Sequence, residues 1–426
     1  MSPEVVNFGC RLNLAEGEAI RAAAPPDAIV FNSCAVTNEA VRQARQAVRR
    51  ALRERPGAAV FVTGCAAELE AERFAAMGAT VVANDAKGSV ESYQSRRVPP
   101  RRRGSISGGL DMAPTGDGLP PSREHTALGY TPALSGPHHA RAFLGVQTGC
   151  SHSCTFCATV LARGQARSAS IEAVVDAART ALDRGQREIV LTGVDLASYG
   201  DDSGTSLAAL IEALLALPVE RLRLSSLDPA RVDDALFALL TGEPRVMPHV
   251  HLSLQAGDDM VLTRMKRRHR RADAVRLVER LKAARGDIAV GADLIAGFPT
   301  EDEAMFANTL ALIDDIDIVF GHIFPYSPRA GTAAARMPQV GRAVARRRAA
   351  TLREANARRR QDWLEGQIGR AASMLIERDG RTGHGENFTA LTLSAPAEPG
   401  SIVAVRLTAR DGDRMIAAQS EKDMAA

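Results

Sequence analysis

The sequence has no long apolar run and no large excess of charge of either sign. No stretch approaches the roughly 20 apolar residues that a membrane-spanning helix requires, so we expect no membrane segment. The opening residues, MSPEVVNFGC, lack a basic segment followed by a long apolar core, so we expect no secretory signal. The net charge is only +3 over 426 residues, which excludes a polycation that binds through bulk charge. These absences predict a cytoplasmic protein.

Cysteine is also scarce, with six residues in the whole chain. This number is too small for a disulfide framework in a protein long enough for two to four domains. In a reducing compartment the thiols stay free and remain available as metal ligands. The position of each cysteine therefore carries information about function.

Three of the six cysteines form a C-x3-C-x2-C run in the stretch VQTGCSHSCTFC. Cys150, Cys154 and Cys157 are close enough to hold three irons of a four-iron cube and leave the fourth iron open to a ligand. One alternative is a structural zinc site completed by His152 or a distant histidine. Another is a set of unrelated buried thiols. Paired C-x2-C halves are more typical of zinc knuckles, and no second C-x2-C exists here, so we favour the cluster.

The alternation of short apolar segments and helical segments predicts an α/β chain in several units. Residues 1–88 predict a small parallel-sheet domain, and residues 138–362 predict six βα units that form a partial (βα)6 barrel. Residues 363–426 predict a small β-barrel of an oligonucleotide-binding type. Residues 89–137, rich in Pro, Gly and Arg, predict a linker, and we interpret their Arg101–Arg103 run as a solvated basic segment.

The predicted elements of these units are as follows. Strands are expected at 5–8, 28–32, 59–63, 81–83, 142–147, 188–191, 221–225, 250–254, 288–294, 318–324, 371–376, 388–393 and 402–408. Helices are expected at 41–53, 171–184, 207–217, 272–285 and 303–313.

The remaining three cysteines each follow a predicted strand of the N-terminal domain. They are Cys10 in VVNFGC, Cys34 in IVFNSC and Cys65 in VFVTGC. In a parallel sheet the carboxyl ends of the strands open onto one crevice, so three thiols distant in sequence can converge there. The alternative is three separate small residues in ordinary turns. Convergence predicts a second three-thiolate site, and the two sites together use every cysteine.

At this point the chain resembles the methylthiotransferase family of the radical S-adenosylmethionine (SAM) superfamily, and more narrowly its members that modify N6-threonylcarbamoyladenosine in bacterial tRNA. The resemblance extends over nearly the whole chain, and its pieces occur in family order. The pieces are FGCRLN (8–13), NSCAVTNEA (32–40), TGC (63–65), VQTGCSHSCTFC (146–157), EIVLTGVDLASYG (188–200), RLRLSSLDP (221–229), HLSLQAGDD (251–259), RMKRRH (264–269), GADLIAGFPTE (291–301), FPYSPRAGT (324–332) and GRTGHGENF (380–388).

The resemblance implies two [4Fe–4S] clusters and SAM, two molecules per turnover. Cys150, Cys154 and Cys157 would hold the SAM-cleaving cluster, and the N-terminal three would hold an auxiliary cluster that handles sulfur. A deoxyadenosyl radical would remove hydrogen from C2 of the adenine, and a methylthio group would be delivered there. An unreactive aromatic C–H bond requires such cofactor chemistry. The implied partners are tRNA, a flavodoxin-type electron donor and a sulfur source.

The same resemblance implies contacts to SAM and RNA. The SAM site would be lined by Phe156, Gly193, Ser253, Gln255 and Tyr326, although Ser253 and Gln255 share one strand face and are also explained by polar packing inside the barrel. The last unit would be a TRAM-like RNA-binding barrel. Arginine-rich stretches at 264–271 and 342–360 are the best candidates for phosphate contacts.

The sequence departs from the family pattern at two places. Residues 158–161, in CATVLARG, lack the proline and aromatic residue usual after the third cysteine, and GCAAEL lacks an aromatic residue and a glutamine. Neither change removes a predicted cluster ligand. Two other functions stay open: methylthiolation of isopentenyladenosine in tRNA or of a ribosomal-protein aspartate, and a non-catalytic RNA-binding protein that uses metal only for folding.

Overall fold

The computed structural model describes residues 2–94 and 130–420, and the N-terminal part is a four-stranded parallel sheet. Its strands lie in the order β1-β2-β3-β4, so each carboxyl end points to the same edge. The elements in chain order are β1 (Glu4–Asn7), α1 (Arg11–Ala23), β2 (Ile29–Ser33), α2 (Asn38–Glu54), β3 (Val60–Gly64), α3 (Cys65–Leu69), α4 (Ala71–Ala76) and β4 (Thr80–Val81). The predicted sheet is confirmed, with strand bounds shifted by one or two residues.

Helix α1 is the longest of three helices of this domain that the sequence pattern failed to predict, the others being the short helices α3 and α4. Its buried face carries Asn13 and Glu16 beside Leu12 and Ile20, so the apolar repeat typical of a helix is interrupted. The helix packs against β1 on one side and against the first strands of the central barrel on the other. It therefore lies at the junction between two units, where its buried polar residues find partners. Of the predicted linker, residues 95–129, which include the Arg101–Arg103 run, lie outside the described residues.

The central unit contains six parallel strands with helices on the outside. The third strand is interrupted, so that its first part pairs in one sheet and its second part in the next. The strands are β5 (Ala133–Leu134, antiparallel at the edge), β6 (Arg141–Gly145), β7 (Gln147–Thr148), β8 (Arg167–Ser168), β9 (Glu188–Thr192), β10 (Arg221–Leu224), β11 (Ser226–Leu227), β12 (His249–Gln255), β13 (Ala289–Ala296) and β14 (Ile318–Pro325). The order β6-β9-β10/β11-β12-β13-β14 confirms the predicted partial (βα)6 barrel.

The helices of the central unit cover the outer face of this barrel. Their apolar faces meet the strands in one core that contains Leu144, Ile189, Leu222 and Leu294. The helices are α5 (Thr159–Arg163), α6 (Ile171–Asp183), α7 (Leu207–Leu215), α8 (Asp234–Gly242), α9 (Asp259–Met265), α10 (Arg271–Ala284), α11 (Glu303–Asp315) and α12 (Arg342–Glu365). Among them α5, α8 and α9 were not predicted. None of the helices that the structure describes is both long and apolar enough to span a bilayer.

The C-terminal unit is a closed five-stranded barrel, as predicted. Two of its strands, β16 and β19, were missed, and residue Phe388 lies in a turn before β17 with a positive φ of 69°, not in the strand expected at 388–393. The strands are β15 (Ala371–Ile376), β16 (Thr382–Gly385), β17 (Ala390–Leu393), β18 (Ile402–Asp411) and β19 (Arg414–Gln419), in the order β15-β16-β17-β19-β18.

A buried ion pair joins this C-terminal barrel to the central one. Arg223 on β10 donates from Nε to Glu188 on β9 at 2.9 Å, and both side chains are fully buried. The remaining guanidinium nitrogens donate to the carbonyl oxygens of Glu386 at 3.0 Å and Gly385 at 3.2 Å. The turn that contains Phe388 therefore closes the end of the central barrel at which the strands begin.

Candidate active site

The C-x3-C-x2-C run lies in the loop between β7 and α5, beyond the carboxyl end of the first barrel strand. Cys150, Cys154 and Cys157 are half-buried free thiols. Burial, followed by the nearby Asp195 carboxylate, raises the pKa of Cys150 to about 12. The Cys150 Sγ lies 3.6 Å from Asp195 Oδ2. A metal centre would offset this penalty, because coordination deprotonates a thiol outright.

A basic contact supports the middle cysteine of this run. Arg267 lies 3.5 Å from the Cys154 Sγ through Nη1 and donates from Nη2 to Asp228 at 3.0 Å and to the Ser253 carbonyl at 2.7 Å. Burial raises the pKa of Cys154, and the Arg267 charge acts in the opposite direction. Arg267 belongs to the arginine-rich stretch that we assigned to RNA, so at this position the stretch supports the cysteine loop instead.

The predicted SAM-site residues surround the same loop. Phe156 packs edge-on against Phe298 with ring centroids 6.4 Å apart, and Tyr326 contacts the other side of Phe298 at 5.5 Å. Ser253 is tied to the loop through Arg267. Gln255, at the end of the same strand, has a positive φ of 73°. The structure thus gathers these residues at the carboxyl ends of the strands, and their contact with SAM stays a prediction.

Gly193 lies where the second barrel strand ends. A Cβ at this position would lie 2.9 Å from Gln147 Oε1, which also accepts hydrogen bonds from the backbone N–H of Val194 at 2.9 Å and of Asp195 at 3.0 Å. The turn holds the Asp195 carboxylate beside Cys150. Asp195 is within a stretch that the sequence analysis singled out, but its role was not predicted.

The N-terminal thiols Cys10, Cys34 and Cys65 lie at the carboxyl ends of β1, β2 and β3, as the parallel sheet predicted. Burial raises the pKa of Cys34 to about 11, with further increases from Cys10 and then Cys65, so the three sulfurs share one electrostatic environment. Gly9, with φ of 92°, allows the chain at Cys10 to pass this close to Cys34. A Cβ there would lie 2.6 Å from the Cys34 Sγ.

Neither set of thiols is arranged for a single metal ion. Zinc–sulfur bonds of about 2.3 Å place tetrahedral ligands within about 4 Å of one another. In the described part of the chain, the only group of three or more His, Cys, Asp or Glu ligand atoms within 4.8 Å of one another is His251, Asp293 and His322, which contains no cysteine. Each set instead offers three free cysteines, the ligands of an iron–sulfur cube with one iron left open. The zinc alternative with His152 is not supported.

Arg163 connects the two sets. It ends α5, directly after the first cysteine run, and its Nε donates to the Cys65 Sγ at 3.1 Å. Its other nitrogens donate to Glu16 at 2.8 Å and Asn13 at 2.9 Å on α1, and Lys87 lies 2.6 Å from the same Glu16. The sequence analysis missed this buried network, although ARG was part of the stretch that it compared with the family.

Arg329 lies between the two sets of thiols. Burial lowers its pKa, whereas Cys34 of one set and Cys157 of the other act in the opposite direction. Its Nη1 donates to Asn38 at 2.7 Å, and its Nη2 is buried without a partner in the part of the chain that the structure describes. Together with the bond from Arg163 to Cys65, this places the two thiol-bearing parts of the chain next to each other.

Comparison with known proteins agrees with this arrangement. The radical SAM superfamily model matches residues 144–313, and the model named uncharacterized protein family UPF0004 matches residues 4–83. The chain is 38% identical to the threonylcarbamoyladenosine tRNA methylthiotransferase MtaB of Rickettsia prowazekii over 95% of this chain and 94% of that protein. The chain belongs to the radical SAM methylthiotransferase family. Membership implies SAM and a [4Fe–4S] cluster.

Other relatives of this methylthiotransferase carry two different names. The MtaB protein of Aquifex aeolicus is 32% identical over 89% of this chain and 90% of its own length. A tRNA-2-methylthio-N(6)-dimethylallyladenosine synthase of Erythrobacter litoralis is 32% identical over 88% of this chain and 86% of its own length. Among solved structures, the radical SAM methyltransferase TsrM of Kitasatospora setae has a TM-score of 0.53 at 17% identity, covers 76% of this chain and 66% of its own, and shows the fold alone.

Proposed function

We propose that this methylthiotransferase converts N6-threonylcarbamoyladenosine beside the tRNA anticodon into its 2-methylthio derivative. The observation that carries the proposal is the contact between the two thiol-bearing parts of the chain: Arg163 Nε donates to the Cys65 Sγ at 3.1 Å, and Cys34 and Cys157 both act on the charge of Arg329. In this proposal the two sets of thiols line one cleft. The 38% identity to a protein named for that substrate favours the threonylcarbamoyl nucleoside over the dimethylallyl one.

In this proposal each set of thiols holds one [4Fe–4S] cluster, the second being auxiliary. When bound, the clusters and SAM supply the radical that removes the C2 hydrogen and the sulfur and methyl group that replace it. Cys150, Cys154 and Cys157 fix the first site. Cys10, Cys34 and Cys65 fix the second. The electrons and the sulfur come from an electron donor and a sulfur source, and the reaction takes place in the cytoplasm.

The remaining residues of the cleft bind, orient and exclude water. Phe156, Phe298 and Tyr326 form an apolar wall beside the first set of thiols, which keeps water from a reactive site. Arg267 and Arg163 place positive charge against thiolates that burial would otherwise disfavour. The division into a sulfur-handling domain at 1–88, a radical SAM domain at 138–362 and a TRAM-like RNA-binding barrel at 363–426 belongs to the same proposal.

The exposed arginines of the central unit are candidates for tRNA phosphates. In the stretch 264–271, Lys266, Arg268 and Arg270 are exposed, whereas Arg267 and Arg271 are held by internal contacts. On α12, exposed arginines alternate with Arg348, which is buried against Glu301 at 2.9 Å. Only the exposed members can supply the salt-dependent phosphate contacts that a tRNA enzyme needs.

The test has two parts. Nucleoside mass spectrometry of a deletion strain should show loss of the methylthio group from threonylcarbamoyladenosine while isopentenyladenosine derivatives stay unchanged. Anaerobic reconstitution should give about eight irons and eight sulfides per chain, and Cys150→Ala and Cys34→Ala should each retain about half. Unchanged tRNA contradicts the assigned substrate, and zinc or a single cube contradicts the two-cluster arrangement.

A further inference from the structure

Arg11 is an arginine in the lumen of the central barrel that forms no ion pair with the described residues. Its neighbours include Arg141 and Arg223. Arg141 lies 3.0 Å from Glu377, and Arg223 lies 2.9 Å from Glu188. Within residues 2–94 and 130–420, Arg11 has no carboxylate within 4.0 Å and no hydrogen-bond acceptor. It forms a cation–π contact instead, with its guanidinium carbon 5.3 Å from the centre of the Phe388 ring.

Arg11 extends from the auxiliary thiols into the lumen of the central barrel. Arg11 follows Cys10 directly and begins α1, so its backbone is fixed beside the auxiliary thiols. Its side chain reaches Phe388, whose ring lies 4.9 Å from that of His249 on β12. Asp293 on β13 is among its electrostatic neighbours. The guanidinium therefore extends from one set of thiols into the lumen of the barrel that carries the other.

An unpaired guanidinium in such a place calls for an anionic ligand. Removing a charge from water is costly unless an opposite charge or hydrogen bonds compensate. The other lumen arginines satisfy this with protein carboxylates. Among the described residues Arg11 forms no such pair, and Glu188 and Asp293 act on it only from beyond ion-pair distance, so its N–H donors are available to an anion on a bound molecule. Its planar fork of N–H donors suits a carboxylate, which can accept two parallel hydrogen bonds.

The substrate in the proposed function carries such a group. The threonylcarbamoyl substituent on N6 ends in a carboxylate, whereas the dimethylallyl substituent is a hydrocarbon. In the proposed function C2 of the adenine faces the two sets of thiols. N6 lies on another edge of the base, so its substituent extends away from the thiols into the barrel lumen, where Arg11 lies. We infer that Arg11 binds the threonyl carboxylate and is a determinant of substrate specificity. This inference rests on the proposed function.

The experiment compares two anticodon stem-loop RNAs that differ in one group. One carries threonylcarbamoyladenosine with its free carboxylate, and the other carries the neutral threonyl carboxamide. Binding by fluorescence anisotropy and kcat/KM for methylthiolation are measured for the wild type, Arg11→Gln, Arg11→Lys and Arg42→Gln. Arg42 is a matched control because it is an exposed arginine of the same domain, on α2, paired with Glu39.

The wild type should prefer the carboxylate RNA by about 10- to 100-fold, the range of a charge-assisted hydrogen-bonded pair. Arg11→Gln should lose this preference because its affinity and kcat/KM for the carboxylate RNA fall, whereas those for the carboxamide RNA change much less. Arg11→Lys should keep part of it, because lysine supplies the charge without the fork. Arg42→Gln should keep all of it.

Two results overturn the role of Arg11: a preference that survives in Arg11→Gln, or an equal loss on both RNAs. Iron content is measured in parallel, because Arg11 adjoins Cys10, and a loss of iron with the preference intact also overturns it. If the wild type methylthiolates neither RNA with full iron content, the proposed function fails. If the wild type is active and Arg11→Gln leaves the preference unchanged, only the role of Arg11 fails.

Discussion

Replacing Glu16 with glutamine would remove the anion at the contact between the N-terminal domain and the cysteine loop of the barrel. The Glu16 side chain is only 6% exposed and lies 2.6 Å from the Lys87 Nζ and 2.8 Å from the Arg163 Nη1. Glutamine keeps the shape of the side chain and removes its charge. Two buried cations would then remain together with no anion between them, and one of them donates to Cys65.

The size of the effect follows from the carboxyl group itself. Burial raises the pKa of Glu16, but Arg163 and Lys87 outweigh it and lower the pKa from 4.5 to about 2. At about 1.4 kcal/mol per pKa unit, the ionised group stabilises the fold by about 3 kcal/mol at neutral pH. Because the folded pKa is the lower one, this stabilisation is present above pH 4.5 and is lost as the pH falls toward 2. Removing one partner of a buried pair costs about 3–5 kcal/mol.

Urea unfolding of the wild type and Glu16→Gln at pH 7 and pH 4 measures this difference. We expect the variant to be less stable by about 3–5 kcal/mol at pH 7, with a smaller gap at pH 4. Glu18→Gln, on the same helix, is the matched control, because Glu18 pairs with Arg21 at 3.2 Å with 30% of its side chain exposed and should contribute less than about 1 kcal/mol. Equal effects of the two variants, or a gap that widens at pH 4, would refute the reasoning.

Two further substitutions test the site and the domain contact. Gly9→Ala should displace Cys34 and lower the iron content by about half, because the new Cβ would lie 2.5 Å from the Cys34 Cβ. The control Gly78→Ala, at a similar φ of 97° but with open space around it, should lose only about 1–2 kcal/mol of stability. Full iron content in Gly9→Ala contradicts this expectation. Arg223→Met should lower the free energy of unfolding by about 3 kcal/mol, because buried Glu188 would keep only the more distant Arg221, at 3.7 Å. Adding Glu188→Leu should restore part of this loss, and a double variant no more stable than the single one contradicts the pairing.

The positions of all six cysteines relative to the strands followed from the sequence, because a parallel sheet brings the residues after its strands to one edge. The network that joins the two sets did not. Glu16, Lys87 and Arg163 are far apart in the chain, and a charged residue is assigned to the surface unless its partner is known. Helix α1 was missed for the same reason, since Glu16 interrupts its apolar face.

The basic stretch at 264–271 shows the converse limit. Charge density alone predicted phosphate contacts, but the carboxylate of Asp228 and the carbonyl of Asn308 already hold Arg267 and Arg271. Sequence patterns report how many charges a segment carries and not which of them remain available. The short strands β16 and β19 were missed because the first is interrupted by glycines and the second follows a two-residue turn.

The bond from Arg163 to Cys65 acts as a fixed spacer between the two halves of the reaction chamber. Widening the gap would break this bond and separate Arg163 from its buried partner Glu16, so we expect the chamber to keep one width. Substrates then reach the site by movement of the small molecules and the target nucleotide, and not by a change in the distance between the domains. An anticodon loop that offers its base to this enzyme must therefore turn that base out of its stack before the base can fit.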